Sequence, residues 1–250
     1  MKRGWSGLLE YCRIADASRW VASLLGLVHE PRSPDTRFRL QLTVGAVTLL
    51  AAAWLFGKVV EDVVTHDLLT VADEWLAAWL NQHATPGFTR AMLLATDLAG
   101  STVVTGVSLA TAVFLVSMRR WHWLLALVLV VPGGALLNEL LKIVFQRARP
   151  AFDYPILTVT GYSFPSGHTM TATLLYGFLA VFLFQAVQRW RWRALGAIGA
   201  AVLIPLVAVS RMYLGAHYLS DTLAAIAAGV IWLVLCLTAV AMLRRRARRL

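Results

Sequence analysis

Six apolar runs, each long enough to cross a bilayer, follow one another along this chain: about 40–60, 98–117, 122–141, 168–187, 195–213 and 218–243. A hydrocarbon core about 30 Å thick takes roughly 20 apolar residues per helix. The expected fold is therefore all-α, an integral membrane bundle of six transmembrane helices. Charged residues make up 14% of the chain, against about 25% in soluble domains. Within the third run, Pro132-Gly133-Gly134 is expected to kink or loosen the helix. Gly196 and Gly199 in the fifth, and Gly229 with its neighbouring alanines in the sixth, suit close helix packing. No internal repeat stands out, so one bundle domain is expected.

The formal net charge of +10 does not point to nucleic acid, because no aromatic-interleaved basic surface lies outside the apolar runs. Basic residues gather instead at the ends of those runs, the orientation signal of a membrane protein. With the N-terminus inside, Lys2, Arg3, Arg13, Arg19, Arg32, Arg37 and Arg39 are cytoplasmic. Arg119, Arg120, Arg189, Arg191, Arg193, Arg244, Arg245, Arg246, Arg248 and Arg249 join them, so both termini are expected in the cytoplasm. The exceptions are Lys58, Arg90, Lys142, Arg147, Arg149 and Arg211. In this topology the end of the third run, the segment 150–167, the end of the fifth run and the start of the sixth share the outer face.

Two segments flank this plan. Residues 71–82 put Val71, Trp75, Leu76, Trp79 and Leu80 on one helical side, with Asp73, Glu74 and Asn81 elsewhere, the pattern of an interfacial helix. The N-terminal 1–38, with Trp5, Trp20 and scattered Arg, reads as a cytoplasmic surface segment without a cleavable signal. Cys12 lies in that segment and Cys236 in an apolar run, so no disulfide between them is expected.

Three short strings carry the chemistry: Lys142-(six residues)-Arg149-Pro150, Pro165-Ser166-Gly167-His168, and Ser210-Arg211-(five residues)-His217-(three residues)-Asp221. An Arg, Lys or Asp at the centre of a membrane helix costs about 3 kcal/mol, so such residues read first as functional. If the sixth helix has begun by His217, the spacing of four sets His217 and Asp221 on one helix face. The carboxylate then takes the proton of one imidazole nitrogen and leaves the other as a nucleophile. Ser166 is an expected N-cap of the fourth helix, and Gly167 admits a ligand close to the backbone. His168 then stands beside an anion held at that helix start, placed to protonate a leaving oxygen. Lys142, Arg149 and Arg211 supply counter-charge for a phosphate dianion. Two histidines and an aspartate also suit zinc, but three neighbouring cations repel a divalent metal and favour an anion. Glu139 is placed to pair with Lys142, and Asp97 to cap the second helix on the outer side. Arg147 is read as a residue snorkelling from a helix end.

These strings resemble, position for position, the signature of the type-2 phosphatidic acid phosphatase superfamily, which includes vanadium haloperoxidases and glucose-6-phosphatase. The motif resemblance spans residues 142–221, and the six-span topology extends it to about 40–243. Leu219 stands where many relatives have Pro. The resemblance implies that His217 attacks phosphorus and forms a phosphohistidine, with Asp221 orienting it. It implies that His168 protonates the leaving group and then activates water. Lys142, Arg149, Ser166, Gly167 and Arg211 would hold the phosphate, and no metal or other cofactor is implied. The resulting division is a cytoplasmic segment 1–38, a membrane phosphatase domain 39–243 with an outer loop and interfacial helix at 61–97, and a basic cytoplasmic tail 244–250.

The expected partner is a lipid phosphate reached through membrane lipid, with no nucleic acid and no oligomeric state specified by the sequence. Undecaprenyl diphosphate, cleaved on the exterior of a bacterial plasma membrane, is the favoured substrate. Phosphatidylglycerophosphate, phosphatidic acid and lysolipid phosphates stand close behind. A lipid phosphotransferase and a non-catalytic lipid-phosphate binder or flippase are the other readings.

Overall fold

The computed structural model describes residues 34–247, with side chains from Phe38 onward. The readings made above for Trp5, Cys12, Trp20, Arg248 and Arg249 fall outside the described residues. The described chain is helical throughout, in the order α1 (Pro34–Thr65), α2 (Leu68–Gln82), α3 (Pro86–Asp97), α4 (Ser101–Ser117), α5 (Trp121–Phe145), α6 (Gly167–Ala186), α7 (Trp190–Tyr213) and α8 (Leu219–Ala247). Within α1 the chain leaves a unit that ends at Val44 and joins a second one, Gly45–Leu250, which holds all the candidate site residues.

Six segments are long and apolar enough to cross a membrane: Phe38–Thr65, Pro86–Ser117, Trp121–Phe145, Gly167–Ala186, Trp190–Tyr213 and Leu219–Ala247. Backbone polar groups in lipid must be satisfied within the protein, and helices of this length do so along their own axis. The second segment is longer than the run 98–117. It consists of α3 and α4, joined across Leu98–Gly100, where the Gly100 N–H donates to the Asp97 carbonyl at 2.9 Å. Asp97 makes no side-chain cap; Gly100 is the N-cap residue of α4. The break is held from outside by Tyr176, whose hydroxyl donates to the Leu98 carbonyl at 2.6 Å.

α6 is the centre of the bundle and packs on α5, α7 and α8. Met170, Leu174, Leu175 and Phe178 are buried around it, as expected for a helix apolar on all sides. Trp123 of α5 meets Phe178 and Phe182 edge-on at centroid separations of 5.7 and 5.1 Å. α5 runs unbroken through Pro132, and the two following glycines serve contact. A Cβ on Gly134 would lie 2.2 Å from Leu174 Cδ1, and one on Gly133 3.1 Å from the Trp232 ring. The Trp232 indole N–H donates to the Leu129 carbonyl at 3.0 Å, beside the turn that Pro132 weakens. Gly229 lets α8 press on α6, since a Cβ there would meet Thr173 at 2.9 Å. Gly199 differs from expectation: a Cβ there would meet nothing within 4 Å, so it is not a packing glycine. Val47, Leu50, Trp54, Leu109, Val113 and Ile198 are exposed; a continuous apolar coat of this kind suits lipid rather than water.

The alternating directions of α5 to α8 give the bundle two unlike ends. One collects Arg119, Arg120, Arg189, Arg191, Arg193 and Arg244–Arg246; there Arg244 meets His122 at 3.1 Å, joining the end of α8 to the start of α5. The other end collects the three strings.

Candidate active site

The segment between α5 and α6 is pinned at several points. Gln146, in the left-handed conformation (φ 45°), ends α5 and turns the chain. The Ser163 N–H donates to the Arg147 carbonyl at 2.8 Å, and the Ser166 N–H to the Asp221 carbonyl at 3.1 Å. Phe164 is fully buried against Phe145, with ring centroids 4.8 Å apart. These ties carry Ser166 and Gly167 to the start of α6, beside the end of α5. A Cβ on Gly167 would sit 3.3 Å from Asn138 Oδ1, a tight contact, and 3.6 Å from Lys142 Nζ, an ordinary one. Lys142 itself pairs with Glu139 at 2.8 Å. Ser166 is the N-cap residue of α6, but its hydroxyl pairs with that of Thr169 at 3.0 Å and takes no backbone N–H.

On the other side, α7 ends at Tyr213, and Gly215 (φ +70°) turns the chain toward His217. A side chain at 215 would strike the Phe152 ring at 2.9 Å, so this position needs glycine for its conformation and for its space. The backbone N–H groups of Ala216 and His217 both donate to the Arg211 carbonyl. Arg211 is 4% exposed. Its Nη1 donates to Thr96 Oγ1 at 3.0 Å, while its Nε, also buried, has no protein partner.

His217 is 2% exposed, and its tautomer follows from its partners. Nδ1 lies 2.8 Å from the Ser163 carbonyl oxygen, which can only accept, so Nδ1 carries the proton. Nε2 lies 3.1 Å from Arg149 Nη1, which can only donate, so Nε2 offers its lone pair. The expectation that Asp221 takes this proton is modified. α8 begins at Leu219, so His217 precedes the helix and Asp221 Oδ2 stops 3.6 Å from Nδ1, beyond hydrogen-bond reach. Asp221 instead accepts from the Ser163 hydroxyl at 2.5 Å and from the Tyr218 N–H at 2.8 Å. Its charge still faces the imidazole, and Ser163 mediates between them. Burial pushes the His217 imidazole below its ordinary value, against the pull of Asp221.

Arg149 donates from Nη1 to the Ala216 carbonyl at 2.7 Å and from Nε to the Gly161 carbonyl at 3.0 Å. Its guanidinium thus ties the loop at Gly161 to the third string; burial lowers its pKa, partly offset by Asp221. His168, in the first turn of α6, lies in the combined field of Arg211, His217, Lys142 and Arg149. All eight residues singled out in the sequence therefore gather at one end of the bundle. Among them the cations outnumber the carboxylates, which favours an anion.

Arg147 corrects the sequence reading. It does not snorkel: its Nη1 donates to Asp221 Oδ1 at 2.7 Å and to Ser220 Oγ at 2.6 Å, and its Nη2 to Asp73 Oδ2 at 2.9 Å. Burial works against its charge, but Asp221 and Asp73 outweigh that and hold the guanidinium above its ordinary range. The turn at Gln146 aims this side chain across at α8 instead of along α5 to water. Asp73 and Thr96 were also missed. Charge on the inner side of an otherwise apolar-faced helix was the available signal for Asp73. Ser163 acts on His217 through its carbonyl, which no side-chain pattern announces.

Solved structures and known sequences resemble this chain in fold and sequence. The crystal structure of a transmembrane PAP2-type phosphatidylglycerolphosphate phosphatase from Bacillus subtilis superposes with a TM-score of 0.66 and 27% identity, covering 81% of this chain and 96% of that one. The structure of Aquifex aeolicus LpxE shares the fold, with a TM-score of 0.50 and 22% identity over 66% of this chain and 94% of that one. Phosphatidylglycerophosphatase B of Bacillus subtilis is 37% identical over 114 residues, 45% of this chain; the chain thus spans 55% of the length of that relative. Residues 121–245, half of the sequence and all three strings, match the PAP2 superfamily. This chain belongs to the PAP2 superfamily.

Proposed function

We propose that this protein is a lipid phosphate phosphatase of the bacterial plasma membrane, with phosphatidylglycerophosphate as its substrate. The observation that carries this is Arg211, a buried guanidinium whose Nε lacks a protein partner beside an imidazole lone pair and two more cations. A buried unpaired N–H of a cation is costly, and a phosphate oxygen is the group that satisfies it.

In this reading Lys142, Arg149, Arg211, Ser166 and the backbone at Gly167 hold the phosphate. His217 Nε2 attacks phosphorus, the P–O ester bond breaks, and His168 gives its proton to the departing alkoxide. His168 then takes a proton from water, whose oxygen displaces Nε2, and inorganic phosphate leaves. Three fixed cations neutralise the equatorial oxygens, the role a metal plays elsewhere, so no metal is required.

The expectation of undecaprenyl diphosphate gives way. Leu, Val and Ala toward lipid do not distinguish a prenyl from an acyl tail, whereas the Bacillus subtilis matches in sequence and in structure bear the phosphatidylglycerophosphate name. The site end faces the exterior and the arginine-rich end the cytoplasm, by the positive-inside bias. Residues 1–38 and 244–250 are then cytoplasmic.

The test is release of inorganic phosphate by the purified protein from a panel of lipid phosphates and diphosphates in detergent with EDTA. We expect phosphatidylglycerophosphate to be cleaved fastest. A preference for undecaprenyl diphosphate would overturn the substrate assignment, and no release from any of them would overturn the enzyme.

A further inference from the structure

We propose that Asp73, on α2, is a positioning residue for the reaction, acting through Arg147 and Ser220 on the start of α8. The inference rests on the phosphatase reading above and adds to it a residue outside the three strings.

α2 lies outside the six spanning segments and turns two unlike faces. Leu68, Val71, Trp75 and Trp79 form an outward stripe, with Trp75 66% exposed. Asp73 and Ala77 are buried on the inner side, and the helix touches α7 and α8. The Asp73 side chain is fully buried, and each of its oxygens is committed. Oδ1 accepts the Ser220 N–H at 2.9 Å. Oδ2 accepts the Ser220 hydroxyl and Arg147 Nη2.

The Ser220 N–H is among the first of α8, which have no acceptor within their own helix. Asp73 therefore caps α8 from another helix, and a carboxylate there also suits the positive end of the helix dipole. The next residue is Asp221. Arg147, its guanidinium 4.5 Å from the Tyr218 ring centroid, bridges the two carboxylates. Tyr218 in turn follows His217, and its N–H is held by Asp221. Asp73, Arg147, Ser220, Asp221 and Ser163 thus form one chain of contacts ending at the Nδ1 side of the imidazole. None of their side chains bonds to Lys142, Arg149 or Arg211; among the described residues the one tie to the phosphate-holding set is the Ser166 N–H on the Asp221 carbonyl. Loss of Asp73 is therefore expected to misplace the nucleophile and leave the phosphate-holding cations in place.

The experiment uses the full chain in detergent with phosphatidylglycerophosphate, comparing wild type, Asp73→Asn, Asp73→Glu and His217→Ala. Asn keeps the shape and one acceptor but removes the charge facing Arg147. For Asp73→Asn we expect kcat to fall about tenfold or more, as sub-ångström misplacement of a reacting group does. KM and the inhibition constant of inorganic phosphate should stay within about threefold of wild type, because the phosphate-holding cations are untouched. Asp73→Glu should recover part of kcat by restoring the charge. A kcat within twofold of wild type in Asp73→Asn would sink the proposal. So would a parallel loss of kcat and phosphate binding, or failure of both Asp73 variants to fold, since either would make Asp73 a structural tie. Failure of the parent reading looks different: His217→Ala would turn over as fast as wild type, or wild type would release no phosphate.

Discussion

At the scale of single residues, His217 is the point on which the proposed chemistry turns. Its replacement by Ala is expected to lower phosphate release by about 10⁴-fold or more, the scale on which a lost nucleophile acts, with the melting temperature little changed. Burial keeps its pKa below the ordinary value of about 6.5, which gives the pH dependence a sign. Protonation consumes the Nε2 lone pair, so the acid limb of kcat/KM should fall below pH 6.5. The unfolded chain binds that proton more readily than the folded one, so acid also weakens the fold below about pH 6.5, and the effect vanishes at higher pH. A profile whose acid limb lies above pH 7 would contradict this. The cations and imidazoles were legible in the sequence because charge beside lipid is costly and persists mainly where it is used. The partners that orient them were less so. Arg147 sits two residues from Arg149 with nothing local to separate their tasks, and the Ser163 carbonyl belongs to any residue.

At the scale of helices, the apolar runs marked five of the six spans to within a few residues, since length and hydropathy decide a membrane helix. The second span was read too short. Thr85-Pro86-Gly87 before it and Leu98-Ala99-Gly100 within it carry the turn residues that usually end a helix, and contacts with α7 and α6, those of Tyr213, Arg211 and Tyr176 among them, keep the two pieces in line. The Tyr213 hydroxyl accepts the Thr85 N–H at 3.0 Å at the head of α3. Glycines were legible as a class but not one by one, because their use depends on what lies opposite. Thr173 opposes Gly229 and is β-branched, so it cannot swing aside; nothing opposes Gly199. Gly229→Ala should therefore destabilise the protein by about 1–3 kcal/mol through overpacking, and Gly199→Ala should be neutral or slightly stabilising. Thermal unfolding in one detergent checks both. Equal melting temperatures for the two variants would refute the contact.

At the scale of the whole molecule, the two ends of the bundle differ in what their charges do. The arginines at one end are mostly exposed, while Arg147 and Arg149 at the other are turned to carboxylates and carbonyls and Arg211 is buried. A Cys placed in the loop 151–164 of a variant lacking Cys12 and Cys236 should react with an impermeant thiol reagent in intact cells. Reaction only after lysis would reverse the proposed sidedness. The contact between Arg149 and the imidazole also bears on selectivity. As long as the guanidinium engages that electron pair, the histidine is a poor target for uncharged electrophiles. In the proposed mechanism an incoming dianion would draw the guanidinium onto its own oxygens and so uncover the attacking atom. A neutral phosphotriester lacks the charge to do this. Under the proposed function, discrimination for ionised phosphate would thus rest on one hydrogen bond, without a gate.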